Sequence, residues 1–288
     1  MKHRIWQSGI AAVLFLSGCN FNDRIPVEMV QTLESQPMGN ESSLAARVSL
    51  DIGTLEVSGE SAAKLYEIDL EYDKAGYAPE IDYNPGNDRE GTLSLKLESL
   101  HRGGLRGERH SNRLRLNLTE RIPINLQIRT GVGDARLALS KLQLNGLDLE
   151  AGVGGARLSV YEPNPVICDE IRLRNGVGSL DAVGLGNLNF RRLDFEGGVG
   201  GANLDFSGEW KQNAEVRIEV GIGGVTARIP RGVGVRLTAE KHFLSGFSLE
   251  GFRRESGEDY FSDNYDSAKV RISLVVKTGI GGFKISWI

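Results

Sequence analysis

Apolar and polar residues alternate along most of this chain, and the alternation changes parity at regular places. From Leu147 to Val160, Leu147, Leu149, Ala151 and Val153 hold odd positions, whereas Ala156, Leu158 and Val160 hold even ones. Side chains of a strand alternate between two faces, so one straight strand cannot bury both sets on one side. A bend is therefore predicted between Val153 and Ala156, at Gly154-Gly155, where glycine opens backbone angles closed to other residues. The same figure recurs at Gly131, Gly152, Gly176, Gly198, Gly221 and Gly279, each opening a Gly-Val-Gly or Gly-Ile-Gly triplet. In every copy the residue between the two glycines falls last in the inward set. The expectation is that these Val and Ile side chains plug the core at each corner.

Five of the six copies follow one another at 21 to 24 residues, and the sixth comes after a gap of 58. A strand-only repeat of that length marks a stacked β architecture. The fold class predicted is all-β: a β-solenoid with glycine corners, or a pair of facing sheets stacked rung on rung. Between corners, Leu142, Leu144, Asn145-Gly146 and Leu147 read as strand, turn, strand, and Pro163 and Pro165 fall in a return loop where a missing donor does little harm. Upstream, Val48, Leu50, Ile52, Gly53, Leu55 and Val57 form a reduced copy of the corner. Leu93, Leu95 and Leu97 are expected to pair with Leu114, Leu116 and Leu118 across the segment from His101 to Asn112.

The start of the chain has a different grammar. Lys2 and Arg4 precede an apolar run from Ile10 to Leu16 that is too short to span a bilayer as a mature helix. Leu16-Ser17-Gly18-Cys19 matches the lipobox of bacterial lipoproteins. That resemblance implies cleavage after Gly18, lipid attachment at Cys19 and anchorage to a membrane; Asn20 in place of Asp implies sorting to the outer membrane. The predicted organisation is a signal peptide at 1–18, a lipidated tether at 19–43, an N-terminal β part at 44–125, and the glycine-corner solenoid at 126–288 with an insertion at 240–268. The β body is expected to be one continuous unit of some 240 residues, with an arguable division near Arg121.

Removing residues 1–18 leaves 32 basic against 38 acidic residues, a net charge of −6. A mildly acidic chain of mixed charge does not suit general nucleic-acid binding. Cys168 is the one cysteine besides Cys19, which leaves no intrachain disulfide and suggests a small core residue.

The pattern from Ala46-Arg47-Val48-Ser49-Leu50-Asp51-Ile52-Gly53-Thr54-Leu55-Glu56-Val57, through Ile122-Pro123-Ile124-Asn125-Leu126, to the serial glycine corners resembles the toast-rack proteins. These include bacterial putative-adhesin domains and the C-terminal domain of LiaF-like cell-wall-active antibiotic response proteins. The resemblance covers roughly 44–288, implies an envelope location, and carries no catalytic residue to transfer. The lipobox and the 240–268 insertion depart from the LiaF pattern.

Chemical motifs are sparse. Gly152-Val153-Gly154-Gly155 lacks the third glycine spacing and the following helix of a dinucleotide loop. Gly197-Gly198-Val199-Gly200 has Ala202 where a calcium β-roll needs Asp. No cofactor or metal is predicted. His242 is the one histidine of the repeat half, and no Ser or Cys sits in a nucleophile motif. The basic stretch His101, Arg102, Arg106, Arg109, His110, Arg113 and Arg115 is either a solvated tip or a contact for anionic headgroups or wall polymer. The insertion gathers Phe247, Phe252, Tyr260, Phe261 and Tyr265 among acids. It reads either as a loop that binds an envelope protein or polysaccharide, or as a flap over a sheet edge. Three functions remain open on this reading: a lipid-anchored, non-enzymatic, adhesin-like or stress-associated binding module; a carbohydrate-active enzyme; and a spacer that self-associates end to end through Phe283–Ile288.

Overall fold

The computed structural model describes residues 27–60, 63–100, 112–240 and 245–288. The segment read as a signal peptide, Cys19, His242 and the basic stretch from His101 to His110 lie outside them. In chain order the strands are β1 (Met29–Pro37), β2 (Ser43–Ile52), β3 (Thr54–Glu60), β4 (Lys64–Asp73), β5 (Tyr77–Asn84), β6 (Glu90–Ser99), β7 (Arg113–Thr119), β8 (Pro123–Val132), β9 (Ala135–Ala138), β10 (Gln143–Ser159) and β11 (Cys168–Val183). They continue as β12 (Phe190–Asp205), β13 (Ala214–Ile229), β14 (Val233–Glu240), β15 (Ser245–Ser248), β16 (Phe252–Ser256), β17 (Asp259–Ser262) and β18 (Val270–Trp287).

Strands β10 to β13 and β18 are 16 to 18 residues long. A 16-residue strand drawn straight spans about 53 Å. Yet β11 and β12 are joined by six residues, which reach at most about 24 Å. Each long strand must therefore fold back on itself, and it does so at the glycine triplet. Its first half runs toward this apex in one sheet, the entry sheet, and its second half runs away in the other, the exit sheet.

Successive rungs pair in parallel and in register on both sides of the apex: Leu147, Val153, Ala156 and Leu158 of β10 lie beside Ile171, Val177, Leu180 and Ala182 of β11. The entry sheet runs β5–β6–β2–β8–β10–β11–β12–β13–β18–β14–β17–β16, and the exit sheet runs β1–β4–β7–β3–β9–β10–β11–β12–β13–β18–β15. Together they form the stacked, all-β solenoid expected from the repeat. Their inward faces meet in one buried apolar cluster that extends from Leu44 to Ile285.

β2 pairs with β8 and β3 with β9, so the stack crosses 125 without a break. Three local expectations are corrected. First, β1 occupies Met29–Pro37 inside the segment read as tether, because its alternating Val30, Thr32, Glu34 and Gln36 lie beside the inward residues of β4. Second, β6 and β7 do not pair with each other. Leu93, Leu95 and Leu97 belong to the entry sheet and Leu114, Leu116 and Leu118 to the exit sheet of one rung. Third, Leu144 to Leu147 is not a turn; β10 runs through it with a register shift between Leu144 and Gly146 against β8.

The return side of the solenoid is stitched by buried amides. Asn164 accepts from the Leu144 N–H at 3.1 Å and donates to the carbonyls of Leu144 (2.7 Å) and Leu188 (3.0 Å). Asn187 donates to the Val160 carbonyl and accepts from the Glu209 N–H. Each satisfies backbone groups that a return loop would otherwise leave unpaired in the interior.

Candidate functional site

Two features stand out on the surface: the apex line and the insertion. At the apex, Gly154 has φ +140°, and a Cβ placed on it would lie 1.9 Å from the Gly133 carbonyl oxygen of the rung below. The neighbouring column is close-packed too: a Cβ on Gly152 would lie 2.4 Å from the Gly131 oxygen. The two glycine columns let the rungs stack at the sharpest point of the fold.

The residue between them turns outward. Val132, Val153, Val177, Val199, Ile222 and Ile280 are 38% to 51% exposed, so the expectation that they plug the core is overturned. The last inward residue before the apex is Ala151 and the first after it Ala156, both buried. Two chain segments converge there, and the acute interior angle leaves no volume for a branched side chain. The result is a straight ridge of six aliphatic side chains in successive rungs, aligned by the register Val132–Val153–Val177–Val199–Ile222–Ile280. At about 4.8 Å per rung it is roughly 24 Å long. Exposed Val or Ile is ordinary singly; a contiguous line of them is not. The length of the strands against the shortness of their returns is the sequence signal that reveals an acute apex.

Beside the ridge, on the outer face of the exit sheet, lies a shallow depression of about 800 Å³ floored by Gly201, Gly224 and Gly282 and edged by Asp181, Asn203 and Phe247. On its other flank the entry sheet carries charges paired across rungs. Arg174 reaches Asp148 at 2.7 Å and Glu150 at 3.4 Å, and Lys277 reaches Glu219 at 2.7 Å.

The insertion folds as a cap. After β14 and β15 continue the two sheets by one further rung, β16 and β17 form a hairpin that extends the entry sheet. Phe252 stacks on Trp287 with centroids 5.5 Å apart, and Phe247 packs on Phe283 at 6.0 Å. Tyr260 is buried in the core cluster. Phe261 and Tyr265 meet edge to face at 4.9 Å, with Arg236 over the first ring and Arg271 over the second. Tyr265 also lines a second shallow depression with Arg191, Arg192 and Glu215. Of the five candidate aromatics, three thus pack on the end of the stack and two face outward as a pair. Of the strand from Phe283 to Ile288, Phe283 and Lys284 are covered by β15, which pairs alongside them.

Among the described residues, no group of three or more His, Cys, Asp or Glu side chains is placed to hold a metal ion. No helix among them is long and apolar enough to cross a membrane. Cys168 is fully buried, and burial pushes its thiol up to about 12.

A family model described as the N-terminal domain of toast_rack, DUF2154, matches residues 23–182 and 164–228. No curated protein matches the chain. Among solved structures, a putative cell adhesion protein from Clostridium sporogenes ATCC 15579 is similar over 91% of this chain and 100% of its own, with 23% identity and a TM-score of 0.51. A putative adhesin from Bacteroides fragilis NCTC 9343 aligns over 90% of this chain and 97% of its own, with 13% identity and a TM-score of 0.44.

Proposed function

The chain belongs to the toast-rack family defined by that N-terminal domain, and from this premise we propose that it is a non-enzymatic, adhesin-like binding or scaffolding module of the cell envelope. It is held to the membrane through lipid on Cys19, with an envelope protein or polysaccharide as its partner. The observation that carries the reading is the aliphatic ridge. Six rungs repeat an exposed Val or Ile where solvent alone would favour a polar residue. A rigid line of apolar side chains with a flanking depression suits docking, and the apex offers no convergent acid, base or nucleophile for catalysis.

The test is to replace Val153, Val177 and Val199 by Ser together. These side chains lie outside the core, so the fold is expected to survive, as circular dichroism will report. Cells carrying the variant are expected to attach to protein-coated or polysaccharide-coated surfaces at most about one-tenth as well as wild type, since three apolar contacts go at once. Equal attachment by a folded variant rejects the ridge as the binding surface. Anchorage is checked separately: Cys19→Ser should move the protein out of the lipid-modified pool, and unchanged metabolic labelling by fatty acid rejects the anchor.

A further inference from the structure

Phe261 and Tyr265 are the two candidate aromatics of the insertion that do not pack on the end of the stack. Phe261 projects from the outer face of β17, because its neighbour Tyr260 is buried in the core cluster and strand side chains alternate. The register carries one outward row across the entry sheet at this level: Arg192 of β12, Glu215 of β13, Ser273 of β18, Arg236 of β14, Phe261 of β17 and Arg253 of β16. Six strands side by side make the row about 24 Å long. It crosses the strands at the end away from the apex, and is therefore separate from the aliphatic ridge.

Over its first half the row is concave. The depression there holds about 830 Å³, and its charges balance: Arg191, Arg192 and Arg271 stand against Asp169, Glu170 and Glu215. Most of these groups are already matched. Arg191 donates to Asp169, Arg192 to Glu215 at 3.2 Å, and Glu170 accepts from Arg172 at 2.5 Å. Further along the row, Arg253 donates to Asp266 at 2.7 Å.

Tyr265 forms the aromatic wall of the depression, and Arg271 holds it there. The Arg271 Nε donates to the Tyr265 carbonyl at 2.9 Å and its Nη2 to the Asp266 carbonyl at 3.1 Å, while the guanidinium lies 5.3 Å from the Tyr265 ring centroid. The Arg271 N–H donates to Asn213 Oδ1 at 2.9 Å, which ties the wall to the loop entering β13. Tyr265 in turn meets Phe261 edge to face at 4.9 Å. The wall is thus fixed before any ligand arrives, which lowers the ordering cost of binding.

We propose that this row binds a neutral polysaccharide, laid across the strands with a sugar ring against Tyr265. Charge selects that ligand first. Three cations against three anions offer no net attraction to a polyanion or a polycation, and either would have to break a formed ion pair. A hydroxyl group does not, because it is donor and acceptor at once: it accepts from the guanidinium and donates to the carboxylate of the same pair. Shape is the second ground, since an open row across six strands suits an extended chain better than a compact molecule. The ring is the third. The electron-rich face of an aromatic side chain attracts the polarised C–H face of a sugar ring. The site and the ridge do not depend on each other, and either reading can fail alone.

The test is native electrophoresis of the full chain carrying Cys19→Ser through gels that contain dextran, mannan or galactan, with dextran sulfate as the charged control. Retardation by at least one neutral polymer is expected. Tyr265→Ala is expected to raise the polymer concentration that halves mobility about tenfold, and Glu215→Gln about fivefold, while Tyr265→Phe keeps the wild-type value. Glu215 is exposed and lies outside the cap, so its variant is expected to fold, as circular dichroism will report. The ridge variant with Val153, Val177 and Val199 replaced by Ser is expected to be retarded like wild type, which separates this site from the ridge. Retardation by dextran sulfate alone, retardation by no polymer, or equal retardation of wild type and folded Glu215→Gln overturns the proposal.

Discussion

At the scale of single residues, the apex separates glycines required by geometry from those that merely fit. Gly154 combines φ +140° with a Cβ position 1.9 Å from a backbone oxygen that is itself fixed in the next rung. Gly155, one residue on, has ordinary backbone angles, and the nearest atom to its Cβ position is Asp134 Oδ1 at 3.3 Å. Gly154→Ala is expected to cost roughly 3 kcal/mol or more, because strain and backbone collision add. Gly155→Ala is expected to stay within about 0.5 kcal/mol, since a slight crowding is offset by a stiffer unfolded chain. Chemical denaturation of the two variants checks the contrast, and similar losses would refute this account of the apex. The same geometry explains why Val153 is exposed while Leu158, five residues later, is not. One lies at the point of an acute angle and the other on a wall of the core.

At the scale of elements, each rung adds its outward charges to a ladder shared with its neighbours. β13 and β18 are the clearest case. The Lys277 ammonium donates to Glu219 and holds that carboxyl below its ordinary 4.5, while the same bond raises the ammonium above its ordinary 10.5. A carboxyl depressed on folding stabilises above its unfolded pKa, and that contribution fades as pH falls through the folded value. For the raised ammonium, the contribution is present below pH 10.5 and fades as pH climbs beyond it. The pair therefore contributes fully between about pH 4.5 and 10.5. Both side chains are close to two-fifths exposed, so the effect is small. Lys277→Met is expected to lower Tm by on the order of a degree or two at pH 7. The gap to wild type should close as pH falls below 4. Thermal melts at pH 3 and pH 7 check this, and a gap that widens in acid would contradict it.

At the scale of the whole molecule, one apolar cluster runs through all the rungs, so an inner rung cannot open without its neighbours. Cys168, at the start of β11, reports on this. Its thiol is fully buried and pushed up to about 12, and the thiolate is the reactive form. Alkylation at pH 8 is expected to be negligible in the native protein and, across a urea series, to follow the loss of circular dichroism. Modification well before that loss would show that the middle of the stack opens independently.

Alternation and glycine spacing were enough to read the all-β class, the repeat, the inward sets such as Leu147, Leu149 and Ala151, and the place of each glycine apex. These depend on alternation and on glycine, which are local properties of the chain. The aromatic content of the insertion was legible too, and left a binding loop and a flap over a sheet edge both open, because which rings meet Trp287 and Phe283 depends on what lies beyond the last rung. The direction of Val153 and its five counterparts, and the separation of β6 from β7 into opposite sheets, came from the folded molecule. Parity along a strand says which side chains share a face. Whether that face encloses any volume depends on the angle at which two halves of a rung converge, and that angle is set by the short returns acting over the whole turn.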